Sequence, residues 1–297
     1  MATTNDSGAP VRLPTWLRRP IAQPGQAVAV ARLLEELELN TVCQSAKCPN
    51  RGECFSAGTA TFLIMGDACT RGCRFCAVQT RKPGPLDADE PRRIAEAAVR
   101  LGLRHVVVTT VTRDDLPDGG AAHFVAVIEA LRAAMPQIAV EVLTSDFAGH
   151  LADVDTVAAA RPDVFNHNLE TVPRLYATVR PGADYLRSLR VLERVGETQP
   201  DLPTKSGIML GLGETPDEVL EVMADLLGNG VKMLTLGQYL RPSPAHLPVA
   251  EYVDPSVFAQ LSRDGYKLGF SAVASAPYVR SSYHAAQLAN LEGSTEG

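Results

Sequence analysis

Six cysteines, Cys43, Cys48, Cys54, Cys69, Cys73 and Cys76, carry most of the chemical information in this 297-residue chain, and none follows Cys76. They fall into two trios. The second reads Cys69-Thr70-Arg71-Gly72-Cys73-Arg74-Phe75-Cys76, a C-x3-C-x2-C spacing. Three thiolates this close can hold three irons of a [4Fe-4S] cube and leave the fourth iron open to a small molecule. An open position is what separates catalytic from structural metal sites. A zinc knuckle completed by a distant fourth ligand is the alternative for that spacing. The first trio, Cys43-x4-Cys48-x5-Cys54, also offers only three thiolates. Taken alone it reads equally as a structural zinc site or an electron-relay cluster. An even cysteine count allows disulfides, but three bridges inside one short segment would do little for a chain this long. The N-terminal MATTNDSGAPVRLPTW shows no charged region followed by an apolar one, so no secretory signal is expected and a cytoplasmic location follows, where thiols stay reduced.

Positioning these thiols is the task of a regular alternation that begins at Thr61. Strand-like runs are TFLIM (61–65), HVVVTTV (105–111), IAVEVLT (138–144), DVFNHN (163–168), KSGIMLGL (205–212), KMLTLGQYL (232–240) and GFSAVASA (269–276). Amphipathic helices separate them, at about 90–102, 120–135, 149–160, 183–196, 216–230 and 255–268. Apolar β-branched runs alternating with helices mean parallel strands joined by crossover helices. Six or seven such units predict an α/β fold, a partial (β/α)6-type TIM barrel with N- and C-terminal extensions; a doubly wound open sheet is the runner-up. Either way, function collects where the loops leave the C-terminal ends of strands, and the second trio lies on the loop after the first strand. Upstream, 26–39 reads as a helix, residues 1–25 as an extended arm with Pro at 10, 14, 20 and 24, the first trio as loop, and 290–297 as a disordered tail. With 28 Lys+Arg against 34 Asp+Glu the net charge is -6, which speaks against electrostatic nucleic-acid binding. No apolar run is long enough to span a membrane.

The C-x3-C-x2-C loop resembles the signature of the radical S-adenosylmethionine (SAM) enzymes. CxxxxCPNxxEC followed by ATFLIMGDACTRGCRFC narrows the resemblance to the lipoyl synthase family. TRDDLPDGGAAHF (112–124), FNHNLETV (165–172), VRPGADYLRSL (179–189), MLGLGET (209–215), QYLRPSPAHLPV (238–249) and VRSSYHA (279–285) extend it over about residues 26–286. Gln44 and Ser45 stand where the family has two glutamates, between ligand positions. The resemblance implies sulfur insertion at carbons 6 and 8 of an octanoyl chain carried on a lysine of a lipoyl carrier protein. It implies two [4Fe-4S] clusters. One, on Cys69, Cys73 and Cys76, binds and cleaves SAM to a 5'-deoxyadenosyl radical; the other, on Cys43, Cys48 and Cys54, donates sulfur. With no seventh cysteine, its fourth ligand is by resemblance Ser282 of the Arg280-Ser281-Ser282-Tyr283 motif, with Ser281 the competitor. An alkoxide is a harder, poorer partner for iron than a thiolate and would leave first.

Around SAM the resemblance points to Asn168 and Glu170. Thr109 and Thr112 lie at the end of a strand, Arg180 offers a fixed fork of donors, and Gly211, Gly213 and Glu214 end another strand where missing Cβ atoms permit close approach. His167 and His284 read as hydrogen-bonded structural residues, and Lys205 as an ordinary charge at a strand start. The implied partners are octanoylated lipoyl domains of 2-oxoacid dehydrogenases, the glycine cleavage H protein, and a ferredoxin or flavodoxin as electron donor; nothing requires more than a monomer. Arg71, Arg74, Arg81 and Lys82 form a candidate basic docking patch. The expected regions are residues 1–60 with the second cluster's ligands, 61–250 as the barrel, and 251–297 closing over that cluster. Another two-cluster radical enzyme, or a non-catalytic iron-sulfur or zinc protein, are the competing readings.

Overall fold

The computed structural model describes residues 3–4, 10–11, 13–18, 25–57 and 60–289. Seven strands carry the fold: β1 (Thr61–Ile64), β2 (His105–Thr110), β3 (Ala139–Leu143), β4 (Val164–Asn166), β5 (Thr204–Leu210), β6 (Met233–Gln238) and β7 (Ala272–Ser275). Each pairs in parallel with the next in chain order. β1 and β7 are the two edges, so the barrel is open; six strands lie within residues 61–250, as expected, and the C-terminal extension adds the seventh. The unbroken order also rules out the doubly wound runner-up, which requires a reversal of strand order. β6 is buried along its whole length and β2 along its centre, the expected state of a parallel strand covered on both faces.

Upstream of the sheet lie α1 (Gly25–Glu36), α2 (Val42–Ser45) and α3 (Arg51–Ser56); between the strands run α4 (Glu90–Leu101), α5 (Ala121–Ala134), α6 (Leu151–Ala159), α7 (Tyr185–Thr198), α8 (Pro216–Gly228) and α9 (Pro255–Leu268). Right-handed crossovers in a sheet that advances one way keep these helices on one side, and α4 packs on α5, α5 on α6, α6 on α7 and α8 on α9. Local signals set their ends. α4 stops at Gly102, whose φ of 62° is the left-handed cap. α8 opens with a reciprocal box between Thr215 and Glu218. α7 joins the two halves of the core, sending Val191 and Val195 into one cluster and Leu189 and Leu192 into the other.

Two expectations need correction. The first trio is not loop: Cys43 sits on α2 and Cys54 on α3. The Thr41 hydroxyl accepts the Gln44 amide to start α2, and Cys54 N–H donates to Asn50 C=O at 2.9 Å inside α3. Helices of one turn are too short for periodicity to reveal. Lys205 is no ordinary surface charge either. It is 1% exposed and donates to Glu141 at 2.7 Å, while Asn166 donates to the same oxygen at 3.1 Å. In the extended arm, Thr15–Leu17 forms a 3-10 turn that buries Leu17; residues 290–297 lie outside the described residues.

Candidate active site

The C-terminal strand ends surround a cavity of about 600 Å3 lined by five of the six cysteines. Cys69, Cys73 and Cys76 line it, as do Cys43 and Cys48; Cys54, the third member of the first trio, stands outside the lining. Thr109, Thr112, Asn168, Glu170 and Arg180 line it too, joined by Ser281 and Ser282 from the chain's far end. Gly211, Gly213 and Glu214 do not. The Glu214 carboxylate instead accepts the amides of Gly211 and Leu212 and closes its own turn.

The loop of the second trio is held by its own backbone and by the segment that follows β2. The Cys69 thiol accepts the amides of Arg71 at 3.4 Å and Thr112 at 3.3 Å. Thr70 donates to the Thr112 carbonyl at 3.0 Å. Arg71 is clamped between Asp114 and Asp146, each at 2.7 Å, with its side chain only 10% exposed. Arg71 is therefore not part of a free basic patch, and Arg81 is paired with Asp67; Arg74 and Lys82 are exposed. Burial works against ionised Asp146, but Arg71, His167 and Arg187 outweigh it and hold its carboxyl below the usual range. Burial pushes Cys76 up to about 12 and Cys43 up to about 11. Cys73 is raised by burial as well, against the pull of Arg180.

The polar wall opposite is one hydrogen-bonded unit. Asn168 Nδ2 donates to Glu170 at 3.0 Å and to Ser281 Oγ at 2.6 Å. Arg180 Nη1 donates to the carbonyls of Asn168 and Leu169, both at 3.0 Å, and its guanidinium lies 5.4 Å over the Tyr176 ring. Burial raises the Glu170 carboxyl although Arg180 and Asn168 pull the other way. His167 Nδ1 sits 2.9 Å from the Thr144 carbonyl, which makes Nδ1 the protonated nitrogen and leaves Nε2 an acceptor. Among the described residues, four buried polar atoms on this wall find no hydrogen-bond partner: His167 Nε2, Asn168 Oδ1, Arg180 Nε and Thr144 Oγ1. Such atoms are costly unless a polar guest meets them. Reading His167 as merely structural thus missed half its surroundings; its place beside Asn168 in FNHN was the available signal. Also missed was Thr61, the polar opening residue of an apolar strand. It donates to Ser282 Oγ at 2.8 Å and hydrogen-bonds Cys43. Ser282 therefore stands with the first trio, and Ser281 with Asn168.

Burial, then the Arg180 charge, lowers His167 to about 4 from 6.5. The unfolded chain thus takes up this proton first as pH falls. Folding stability of the metal-free protein is unaffected above pH 6.5 and is lost progressively toward pH 4, by roughly 3 kcal/mol from this group. Urea titrations across that range should show the loss in wild type and a shallower one in His167→Asn. Parallel pH dependence of the two proteins would contradict it.

Each trio supplies three free thiols, the number that would hold an iron-sulfur cube with one iron left open, and the unpartnered polar wall fits a polar ligand beside the second. Among the described residues, no three His, Cys, Asp or Glu side chains are arranged as they would be around a single metal ion.

Residues 63–226 match the model of the Radical SAM superfamily. Solved structures of similar shape are methylornithine synthase PylB (TM-score 0.53, 14% identity, 79% of this chain and 76% of that one) and HydG, a maturase of the [FeFe]-hydrogenase (0.57, 15%, 85% and 63%). SuiB of Streptococcus suis, bound to its precursor peptide SuiA, is a third (0.53, 14%, 68% and 44%), so the chain spans under half of it. Fold and site together are those of a radical SAM enzyme, a class that implies a [4Fe-4S] cluster and SAM. Closer in sequence are proteins named lipoyl synthase, from Caldanaerobacter subterraneus (60% identity over 93% of this chain and 96% of that protein), Methylococcus capsulatus (56%, 97% and 90%) and Thermus thermophilus (54%, 92% and 85%). The chain belongs to the lipoyl synthase family. Among the described residues, no helix is long and apolar enough to cross a membrane.

Proposed function

We propose that the protein inserts two sulfur atoms, at carbons 6 and 8, into an octanoyl chain amide-linked to a lysine of a lipoyl carrier protein. The carriers are lipoyl domains of 2-oxoacid dehydrogenases or the glycine cleavage H protein; a ferredoxin or flavodoxin supplies electrons, and the protein works as a cytoplasmic monomer. When bound, the cluster of the second trio with SAM supplies hydrogen-abstracting radicals, and the cluster of the first trio supplies sulfur.

The chain's own contribution is holding, orienting and excluding water. Cys69, Cys73 and Cys76 hold the SAM-binding cluster. Cys43, Cys48 and Cys54, with Ser282 as fourth ligand, hold the sulfur-donating one. Thr109, Thr112, Asn168, Glu170 and Arg180 meet SAM through the polar wall; Gly211, Gly213 and Glu214 keep only a supporting part in this reading, shaping the loop after β5. Leu63, Leu143, Ile208 and Met209 line the same cavity and offer the octanoyl chain an apolar path. Residues 1–60 serve as the segment that brings the first trio, 61–250 as the radical-generating barrel, and 251–297 as the region that brings Ser282.

A single observation supports this reading: all three cysteines of the second trio and two of the first, Cys43 and Cys48, line one cavity, so groups held at the two trios would share one space. Anaerobic reconstitution with iron and sulfide tests it. About eight irons per chain are expected for wild type and about four for Cys73→Ala or Cys48→Ala. About four in wild type, unchanged in Cys48→Ala, would contradict the second cluster.

A further inference from the structure

The segment carrying Ser282 reaches the first trio through two hydrogen bonds, each made beside a candidate ligand. Thr61 Oγ1 donates to Ser282 Oγ at 2.8 Å. One residue further, the Tyr283 hydroxyl donates to Glu53 Oε1 at 2.6 Å, and Glu53 immediately precedes Cys54 on α3. His284 packs edge-on against the Tyr283 ring, with centroids 4.1 Å apart. Before Ser282 the same segment leans on the barrel. A Cβ on Gly237 would come within 2.1 Å of the Val279 carbonyl oxygen, and Asn168 holds Ser281. Ser282 is thus the point where a half anchored on the barrel passes to a half anchored on α3.

We propose that Glu53, acting through the Tyr283 hydroxyl, is the positioning residue that keeps Ser282 seated beside the first trio. The inference rests on the reading of Ser282 as the fourth ligand there. A phenol donating to a carboxylate makes a short, charge-assisted hydrogen bond, and it joins the residue before one ligand to the residue after another. The Glu53 side chain is 48% exposed, so water competes for the bond and its hold is limited. A limited hold suits a ligand that has to leave when sulfur is given up.

Iron release to a ferrous chelator tests this in the reconstituted full chain carrying Cys73→Ala, which keeps only the first trio's cluster. Adding Glu53→Ala or Tyr283→Phe should speed release about fivefold, the effect of losing one such bond. Glu53→Gln, whose amide oxygen still accepts the phenol proton, should stay close to the parent. Ser282→Ala should release iron at least as fast, and adding Tyr283→Phe to it should change nothing more, since the latch acts through that serine. Unchanged release in Glu53→Ala and Tyr283→Phe, with fast release in Ser282→Ala, would overturn the latch alone. So would an effect of Tyr283→Phe that persists without Ser282. No effect of Ser282→Ala would overturn the ligand reading and the latch with it.

Discussion

Cys48→Ala is expected to go on cleaving SAM while inserting no sulfur, and Cys73→Ala to do neither. The two thiols line one cavity, yet they belong to different machines. Cys73 lies on the loop tied to the segment after β2 through Cys69 and Thr112, beside Arg180 and Glu170. Removing it takes away one of three thiolates, and with it the open iron that holds SAM. Cys48 stands outside that loop, between α2 and α3, and its loss leaves the polar wall intact. Sulfur insertion should fall at least about a thousandfold in both variants, about 4 kcal/mol of transition-state stabilisation. Formation of 5'-deoxyadenosine separates them: it should survive in Cys48→Ala within a few-fold and vanish in Cys73→Ala. Loss of cleavage in both would mean that the two trios form one interdependent site.

Lys205→Met is expected to destabilise the metal-free protein by about 3 to 5 kcal/mol, lowering Tm by about 10 °C. Lys205 and Glu141 are 1% and 0% exposed at their side chains and 2.7 Å apart, so removing the ammonium strands a buried carboxylate. Asn166 offers that carboxylate one further donor, too little to replace the charge. The double variant Lys205→Met with Glu141→Leu should recover much of the loss, because an apolar pair of similar bulk needs no compensation. Thermal unfolding of both variants decides it; an unchanged Tm in Lys205→Met would show that the pair is not buried in solution.

How much of this could be read from the sequence differs from residue to residue. The helix over 255–268 is α9 to the residue, because Asp254 and Pro255 mark its start and Gly269 its end. All seven strands were legible as apolar runs, and their sequential pairing follows from the alternation with helices. The two cysteine trios were visible through spacing alone. What stayed hidden depends on contacts between distant parts of the chain. Ser281 and Ser282 are neighbours of like chemistry; only the fold hands the first to Asn168 and the second to Thr61. Gly211 looked like a place for close approach to a ligand. Its φ of 95° and a would-be Cβ 2.2 Å from Gln238 Nε2 show a glycine required by the packing of that amide. Lys205 opens a strand in the same way as a surface charge would, and only burial against Glu141 reveals its role.

The central claim is that both trios serve one cavity in which sulfur is added to an octanoyl chain. The most direct measurement is anaerobic and uses protein reconstituted with iron and sulfide, SAM, dithionite and a peptide bearing octanoyl-lysine, with product followed by mass spectrometry. A peptide that gains two sulfur atoms, with two molecules of 5'-deoxyadenosine formed per product, is the predicted result. Cleavage of SAM with the peptide left unchanged under all conditions would contradict the account.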